Sequence, residues 1–295
     1  MEPNLVIDPR WLINPFIEFA FMRRALVGCA ALTLGCAPVG VFLMLRRMSL
    51  TGDAMAHAIL PGAAIGFMIA GVSLSAMTIG GLVAGLIVAL AAGAVSRVTI
   101  LNEDASLAAF YLISLAVGVL IVSTRGSNVD LMHVLFGTVL ALNDAALFLI
   151  ASIASVTLVT VAVIYRGLVA ECFDRGFLAT VGGRGSVVHL TFMALVVLNL
   201  VGGFHALGTL MVVGILILPA AAARFWAREV WSLIVCAWLF GFISSASGLL
   251  LSYYANLPSG PAIILVAGVI YGLSLVFGAR ASLLTHLRRP AHLEA

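Results

Sequence analysis

Asp53 and His57 are the residues in this chain whose types and spacing could do chemistry. They lie four apart in Arg46-Arg-Met-Ser-Leu-Thr-Gly-Asp-Ala-Met-Ala-His-Ala-Ile-Leu-Pro-Gly-Ala-Ala-Ile-Gly66, an otherwise apolar stretch after a positively charged boundary. Residues four apart on a helix share a face, so a carboxylate and an imidazole would project the same way. Together they could ligate a divalent cation. Two ligands do not close a structural tetrahedral site, and suit transient binding completed by water, carbonyls or a second subunit. Pro61 follows His57 by four residues. In a helix its ring removes one backbone hydrogen bond and presses on the His57 carbonyl, which predicts a bent or broken helix there. The plainer reading is that Asp53, preceded by Gly52, caps a helix N-terminus.

The setting is a membrane. Of the 295 residues, 63% are hydrophobic and 9% charged, against about 25% charged in soluble domains. An ionisable residue at the bilayer centre costs ~3 kcal/mol on insertion scales and is by default functional. The fifteen basic residues are all arginine. Without lysine the chain has no Walker A phosphate loop and no Schiff-base pyridoxal site, so any ATP is hydrolysed elsewhere. The four cysteines (Cys29, Cys36, Cys172 and Cys236) have no paired spacing and read as structural.

Apolar segments at roughly 25–45, 52–71, 75–95, 105–123, 145–165, 187–203, 206–223, 230–252 and 261–279 predict an all-α integral membrane bundle of eight or nine crossings. The whole chain, 1–295, reads as one transmembrane domain. The run after Arg23-Arg24 is a retained span rather than a cleaved signal. Residues 1–19, with Pro3, Pro9, Trp11 and Pro15, suit an interfacial segment. Gly62 and Gly66, and Gly81 and Gly85, give small-xxx-small spacing for close helix contact. Alternation of sides gathers Arg46, Arg47, Arg97, Arg166, Arg175, Arg184, Arg224, Arg228, Arg280, Arg288 and Arg289 on one side, with only Arg10, Arg23, Arg24 and Arg125 opposite. The positive-inside rule makes the first group cytoplasmic.

His133 and His205 are secondary candidates for touching a substrate ion, and His189 looks structural. The stretch from Gly202-Gly203 to Pro219 is a second broken-helix candidate, with the break placed at Pro219. Residues 166–186 form a polar, predicted cytoplasmic segment alternating Leu168, Phe173 and Phe177 with Glu171, Asp174 and Arg175. A helix of that pattern lying across the inner surface could dock into a groove on a cytoplasmic partner.

Arg47 to Gly62 resembles the signature of the permease subunits of bacterial zinc and manganese ABC importers. The likeness extends through Gly126-Ser-Asn-Val-Asp-Leu-Met-His-Val-Leu-Phe-Gly137, Glu171-Cys-Phe-Asp-Arg-Gly-Phe177, Gly208 to Arg224 and Leu257-Pro-Ser-Gly-Pro261. It covers essentially the whole chain after residue 20, although Phe204-His205-Ala206 departs from the family pattern. The resemblance implies a homodimer of permeases in the bacterial cell membrane. Two cytoplasmic ATP-binding subunits and an extracytoplasmic metal-binding protein would complete it. It places Asp53 and His57 in the metal pathway, and puts the coupling to the ATPase on Glu171, Phe173, Asp174, Arg175, Gly176 and Phe177. No permanent cofactor, catalytic residue or nucleic-acid partner is expected; Zn²⁺ or Mn²⁺ is cargo, and the extra histidines tilt the choice slightly to zinc. An ion-gradient-coupled secondary transporter is the alternative, since such proteins also use broken helices. An intramembrane metalloenzyme is a third class, weakened by the lack of an HExxH motif.

Overall fold

A computed structural model describes residues 10–71, 73–124, 139–173, 185–280 and 282–287. Among these it contains eleven α-helices, one 3-10 turn (Val139–Ala141) and no strand. The helices are α1 (Arg10–Glu18), α2 (Ala20–Leu45), α3 (Ser49–Ala70), α4 (Leu74–Val98), α5 (Glu103–Thr124) and α6 (Asp144–Phe173). They continue with α7 (Gly185–Leu207), α8 (Thr209–Ala223), α9 (Val230–Ala255), α10 (Ser259–Phe277) and α11 (Leu283–Leu287). In lipid every backbone polar group needs a partner within its own segment, and long helices meet that demand. Eight of them (α2–α7, α9 and α10) are long and apolar enough to cross a bilayer.

The central rod is α2. It is apolar all round, and most of its residues are buried by α6, α7, α8 and α9. Contacts along its length give the neighbours their direction. Arg24 near its start meets Asp144 at the start of α6 (3.2 Å), while Arg46 beyond its end meets Glu171 near the end of α6. The two helices therefore run parallel. Helix α7 runs back the other way: Phe192 lies by Phe42, Asn199 by Gly35 and Gly203 by Leu32. Helix α8 then returns, with Leu216 and Ala220 against Gly40 and the Arg224 guanidinium donating to the Met44 carbonyl (3.4 Å). The Arg280 amide donates to Phe225 at this same end (3.0 Å). Arg46, Arg224 and Arg280 thus share one end of the bundle, as the arginine asymmetry requires.

The ambiguity between eight and nine crossings has a physical origin. Helix α8 has 15 residues, about 22 Å of rise, too little for a hydrocarbon core of ~30 Å. It is a short return stroke, and the turn into it is Gly208 (φ 87°), in the left-handed half of backbone space that glycine enters most readily. The break expected at Pro219 is therefore displaced. Helix α8 runs through the buried Pro219 to Ala223, and the interruption is the glycine eleven positions earlier. Pro61 likewise does not end its helix, because α3 continues to Ala70. Its ring is buried against Gly118 of α5, and tertiary packing holds a helix that propensity alone would interrupt.

Of the segment 166–186, residues 174–184 lie outside the described ones, and residues 166–173 differ from expectation. Residues 166–173 do not lie across the membrane surface as a separate helix. They are the last two turns of α6, whose 30 residues span about 45 Å and overrun the bilayer. The helix continues through Gly167, which packs on Val188 of α7, and Leu168 turns into the chain's own core. Of the N-terminal segment, Arg10–Glu18 is a short helix leading into α2, and residues 1–9 lie outside the described ones.

Glycine spacing sets the α3–α4 contact. A Cβ at Gly62 would strike the Gly80 carbonyl, and one at Gly80 the Gly62 carbonyl. Overpacking of this kind costs typically about 1–3 kcal/mol. Gly62→Leu is therefore expected to lower the thermal unfolding midpoint in detergent. Gly268→Leu, where nothing lies within 4 Å, should leave it within the narrow range of surface substitutions, about 0.5 kcal/mol.

Candidate functional site

The site helix begins at a tight reversal. The Met48 amide bonds the Leu43 carbonyl (2.9 Å) and the Arg47 amide bonds Met44 (3.2 Å), the paired bonds of a Schellman motif. Arg47 occupies its left-handed position (φ 60°) without being glycine, at a cost of roughly 1–2 kcal/mol. Met48 and Leu43 are both buried, which supplies the apolar contact of the motif. Helix α3 starts at Ser49, and Met48 is its N-cap. Asp53 is thus inside the helix, which removes the capping explanation for it.

At 1.5 Å per residue, Asp53 sits about 6 Å and His57 about 12 Å along α3 from Ser49, in the half of the helix nearer Arg46. His57 Nε2 and Asp53 Oδ1 are 3.8 Å apart. Two ligands on one metal, each at ~2.1 Å with a tetrahedral angle between them, lie about 3.4 Å apart. A small rotamer adjustment would bring both onto one ion. The Asp53 side chain is 61% exposed and that of His57 34%. They belong to a stripe of α3 (Leu50, Asp53, His57, Leu60 and Ala64) left open or half-open by the rest of the chain, whereas Thr51, Met55, Ala58 and Ile59 are buried.

Helix α5 holds the pair in place. Its Tyr111 stacks on the His57 ring, with centroids 6.1 Å apart and an interplanar angle of 28°. One turn on, the Ser114 hydroxyl donates to the Ala58 carbonyl (3.0 Å), beside the His57 carbonyl to which Pro61 can supply no N–H. Gly118 another turn on admits the Pro61 ring. With Nδ1 of His57 enclosed and unpartnered, Nε2 is the ring nitrogen turned to Asp53. Tyr111 and Ser114 lie more than fifty residues from Asp53, and no local sequence signal links them to it.

Among the described residues no group of three or more His, Cys, Asp and Glu could hold a metal ion. Asp53 and His57 are brought together as a pair only. His133 lies outside the described residues, as do Asp174, Arg175, Gly176 and Phe177. His205 stands in α7 three residues before Gly208, its side chain outside the described ones, as is that of Phe173 at the end of α6.

Glu171 is not on the surface expected of a docking residue. It is buried, and its carboxylate accepts from Arg46 Nη2 at 2.5 Å. The Arg46 side chain is wholly enclosed, its Nη1 lies 3.3 Å from His189 Nδ1, and its guanidinium stacks 4.4 Å over Phe192. His189 Nδ1 is also 3.4 Å from the other Glu171 oxygen. His189 is thereby structural, as its position at the start of a span implies. The partnership of Arg46 with a carboxylate 125 positions away was invisible in sequence.

A bundle of eight bilayer-length helices, with a carboxylate–imidazole pair open on one of them, defines a polytopic membrane protein. More particularly, the chain belongs to the ABC 3 transport family, which residues 18–278 match. It is 32% identical over 280 residues to the manganese transport system membrane protein MntC of Halalkalibacterium halodurans, covering 95% of this chain and 94% of that one. To the manganese import system permease protein ScaB of Streptococcus parasanguinis it is 31% identical, covering 89% and 94% respectively. A chain of the PsaBC complex of Streptococcus pneumoniae, solved with a Fab, superposes with a TM-score of 0.82 at 29% identity, covering 94% of this chain and 98% of that one. The protein is accordingly a multi-pass protein of the bacterial inner membrane.

The buried ion pair generates a stability prediction. Removing one partner of such a pair leaves an uncompensated buried charge and costs about 3–5 kcal/mol. Arg46→Ala is expected to lower the detergent unfolding midpoint and the membrane yield sharply. Arg24→Ala, which opens the half-exposed Arg24–Asp144 pair, is expected to cost at most about 1 kcal/mol.

Proposed function

We propose that this chain is the permease subunit of an ATP-driven importer that moves a divalent transition-metal ion into the cytoplasm. The observation that carries the reading is the Asp53–His57 pair, open on α3 within a membrane span. An ionisable pair there faces a partner or a hydrated path rather than lipid. Oxygen and imidazole donors suit both manganese and zinc. The relatives' names put manganese first. The histidine content that tilts a sequence reading to zinc loses weight, because His189 is engaged with Arg46 and Glu171.

Two protein ligands leave most of an ion's coordination sphere open. In the proposed assembly a second copy of the chain faces the open stripe of α3 and adds its own Asp53 and His57. The ion is then held briefly between four side chains and released, which fits cargo rather than a resident cofactor. The ATP is hydrolysed on a separate cytoplasmic subunit. That subunit docks at the segment leaving α6, from Phe173 through Asp174, Arg175, Gly176 and Phe177. A metal-binding protein delivers the ion from the opposite side.

The direct test is metal uptake by the complex reconstituted with its ATP-binding and metal-binding subunits. Asp53→Ala and His57→Ala are each expected to reduce uptake at least tenfold in normally assembled complexes; wild-type uptake in both would remove the assigned role. Tyr111→Phe keeps the ring on His57 and should transport nearly as the parent does, whereas Tyr111→Ala frees the imidazole and should fall between parent and His57→Ala. Cargo is decided by which ion accumulates inside: at equal outside concentrations more Mn²⁺ than Zn²⁺ is expected to enter per complex, with the reverse order reassigning the protein to zinc. ATP-independent uptake down an ion gradient would point instead to a secondary transporter.

A further inference from the structure

We infer that Arg46, Glu171 and His189 are positioning residues that tie the cytoplasmic end of α6 to the helix bearing Asp53 and His57. When one moves, the other is carried with it. The inference rests on the metal-permease reading and adds to it the internal link between the end of α6 and the ion pair.

The connection on the α3 side is short and stiff. Arg46 is the C-cap of α2, and only Arg47 and Met48 separate it from Ser49, the first residue of α3. Those three positions are closed by the bonds from Met48 to Leu43 and from Arg47 to Met44. The buried Met48 adds an apolar anchor. Asp53 is the fifth residue of a helix that starts from this turn, so a displacement of Arg46 passes along the α3 backbone with no flexible segment between.

On the α6 side the link is equally direct. Glu171 stands two residues before the end of α6 at Phe173. Its two carboxylate oxygens are divided between Arg46 (2.5 Å) and His189 (3.4 Å). His189 also approaches Arg46 (3.3 Å), and Phe192, one turn on in α7, lies beneath the guanidinium. Three helix ends thus meet on one cation whose side chain is sealed from solvent. Separating a buried charge from its partner is far more costly than moving both together. The cheap motion is therefore a joint one. A pair serving only to stabilise the fold would show itself in folding yield. A pair that carries motion shows itself in the ratio of metal moved to ATP spent.

That ratio is the test, measured in proteoliposomes holding the complete complex with the metal-loaded binding protein outside. Glu171→Gln keeps side-chain volume and one acceptor but removes the charge. Arg46→Lys keeps the charge but loses the planar fork and the stack on Phe192. Both are expected to hydrolyse ATP while metal transported per ATP falls at least fivefold. Arg24→Gln, which opens the ion pair at the other end of α2 and α6, is expected to leave the ratio at the parent value. A parent ratio in Glu171→Gln and Arg46→Lys overturns the inference, and so does an equal fall in Arg24→Gln. Should neither cluster variant assemble, spin labels at the exposed positions 65 on α3 and 166 on α6 of the parent decide it. One separation in the nucleotide-free and ATP-bound complexes supports the link, and a separation that changes between them overturns it. Failure of the parent complex to move metal at all would instead remove the functional reading on which the inference stands.

Discussion

A guanidinium closed off from water must be neutralised where it sits, and much of this bundle follows from how Arg46 meets that demand. It caps α2, it draws the end of α6 inward through Glu171, and it takes His189 and Phe192 from the start of α7. These contacts put the ends of three helices at one level. The left-handed Arg47 immediately afterwards then turns the chain into α3, which packs on α4 and α5. The turn is closed by its own local bonds, and Arg46 fixes where that turn sits relative to α6 and α7. The position of Asp53 is in that sense a consequence of an arginine seven residues away and a glutamate from the other half of the chain.

The membrane character and the spans were legible in sequence because both follow from apolar length, and the gathering of Arg46, Arg224 and Arg280 at one end was legible from arginine alternation. The pairing of Asp53 with His57 was legible for the same reason, since helical spacing alone puts both on one face. Long-range chemistry was not. Glu171 stands in a polar run that reads as solvated, yet it is buried, because its partner lies on a helix 125 positions earlier. Tyr111 looks like any aromatic in a span until α5 is laid beside α3. Both prolines suggested interruptions where the helices continue, since neighbours hold the local bonds that a proline weakens. The actual interruption is Gly208, one of many glycines, distinguished only by a backbone angle.

The open stripe on α3 separates two kinds of exposure. Much of the outward surface of the other long helices is apolar, as with Ile79, Val83 and Ile87 on α4 and Val156, Val159 and Val163 on α6. Such faces meet lipid at no cost. On α3 the same degree of openness falls on a carboxylate and an imidazole, which do not. One helix therefore presents two unlike environments along its length, with Asp53 and His57 towards the Arg46 end and Ile65, Met68 and Ile69 towards the other.

The length of α6 has a consequence of its own. It is a rod of about 45 Å, fastened near one end by a sealed ion pair and near the other by the half-exposed Arg24–Asp144 contact. The first fastening costs about 3–5 kcal/mol to break and the second at most about 1. Under strain such a rod yields first at its weak end while its strong end holds. Tilting by about 10° about the held end carries the far tip through roughly 8 Å, more than one helical turn of rise. The asymmetry of the two fastenings leaves the Glu171 end of the rod moving with α2 and α3, and the Asp144 end free to swing against them.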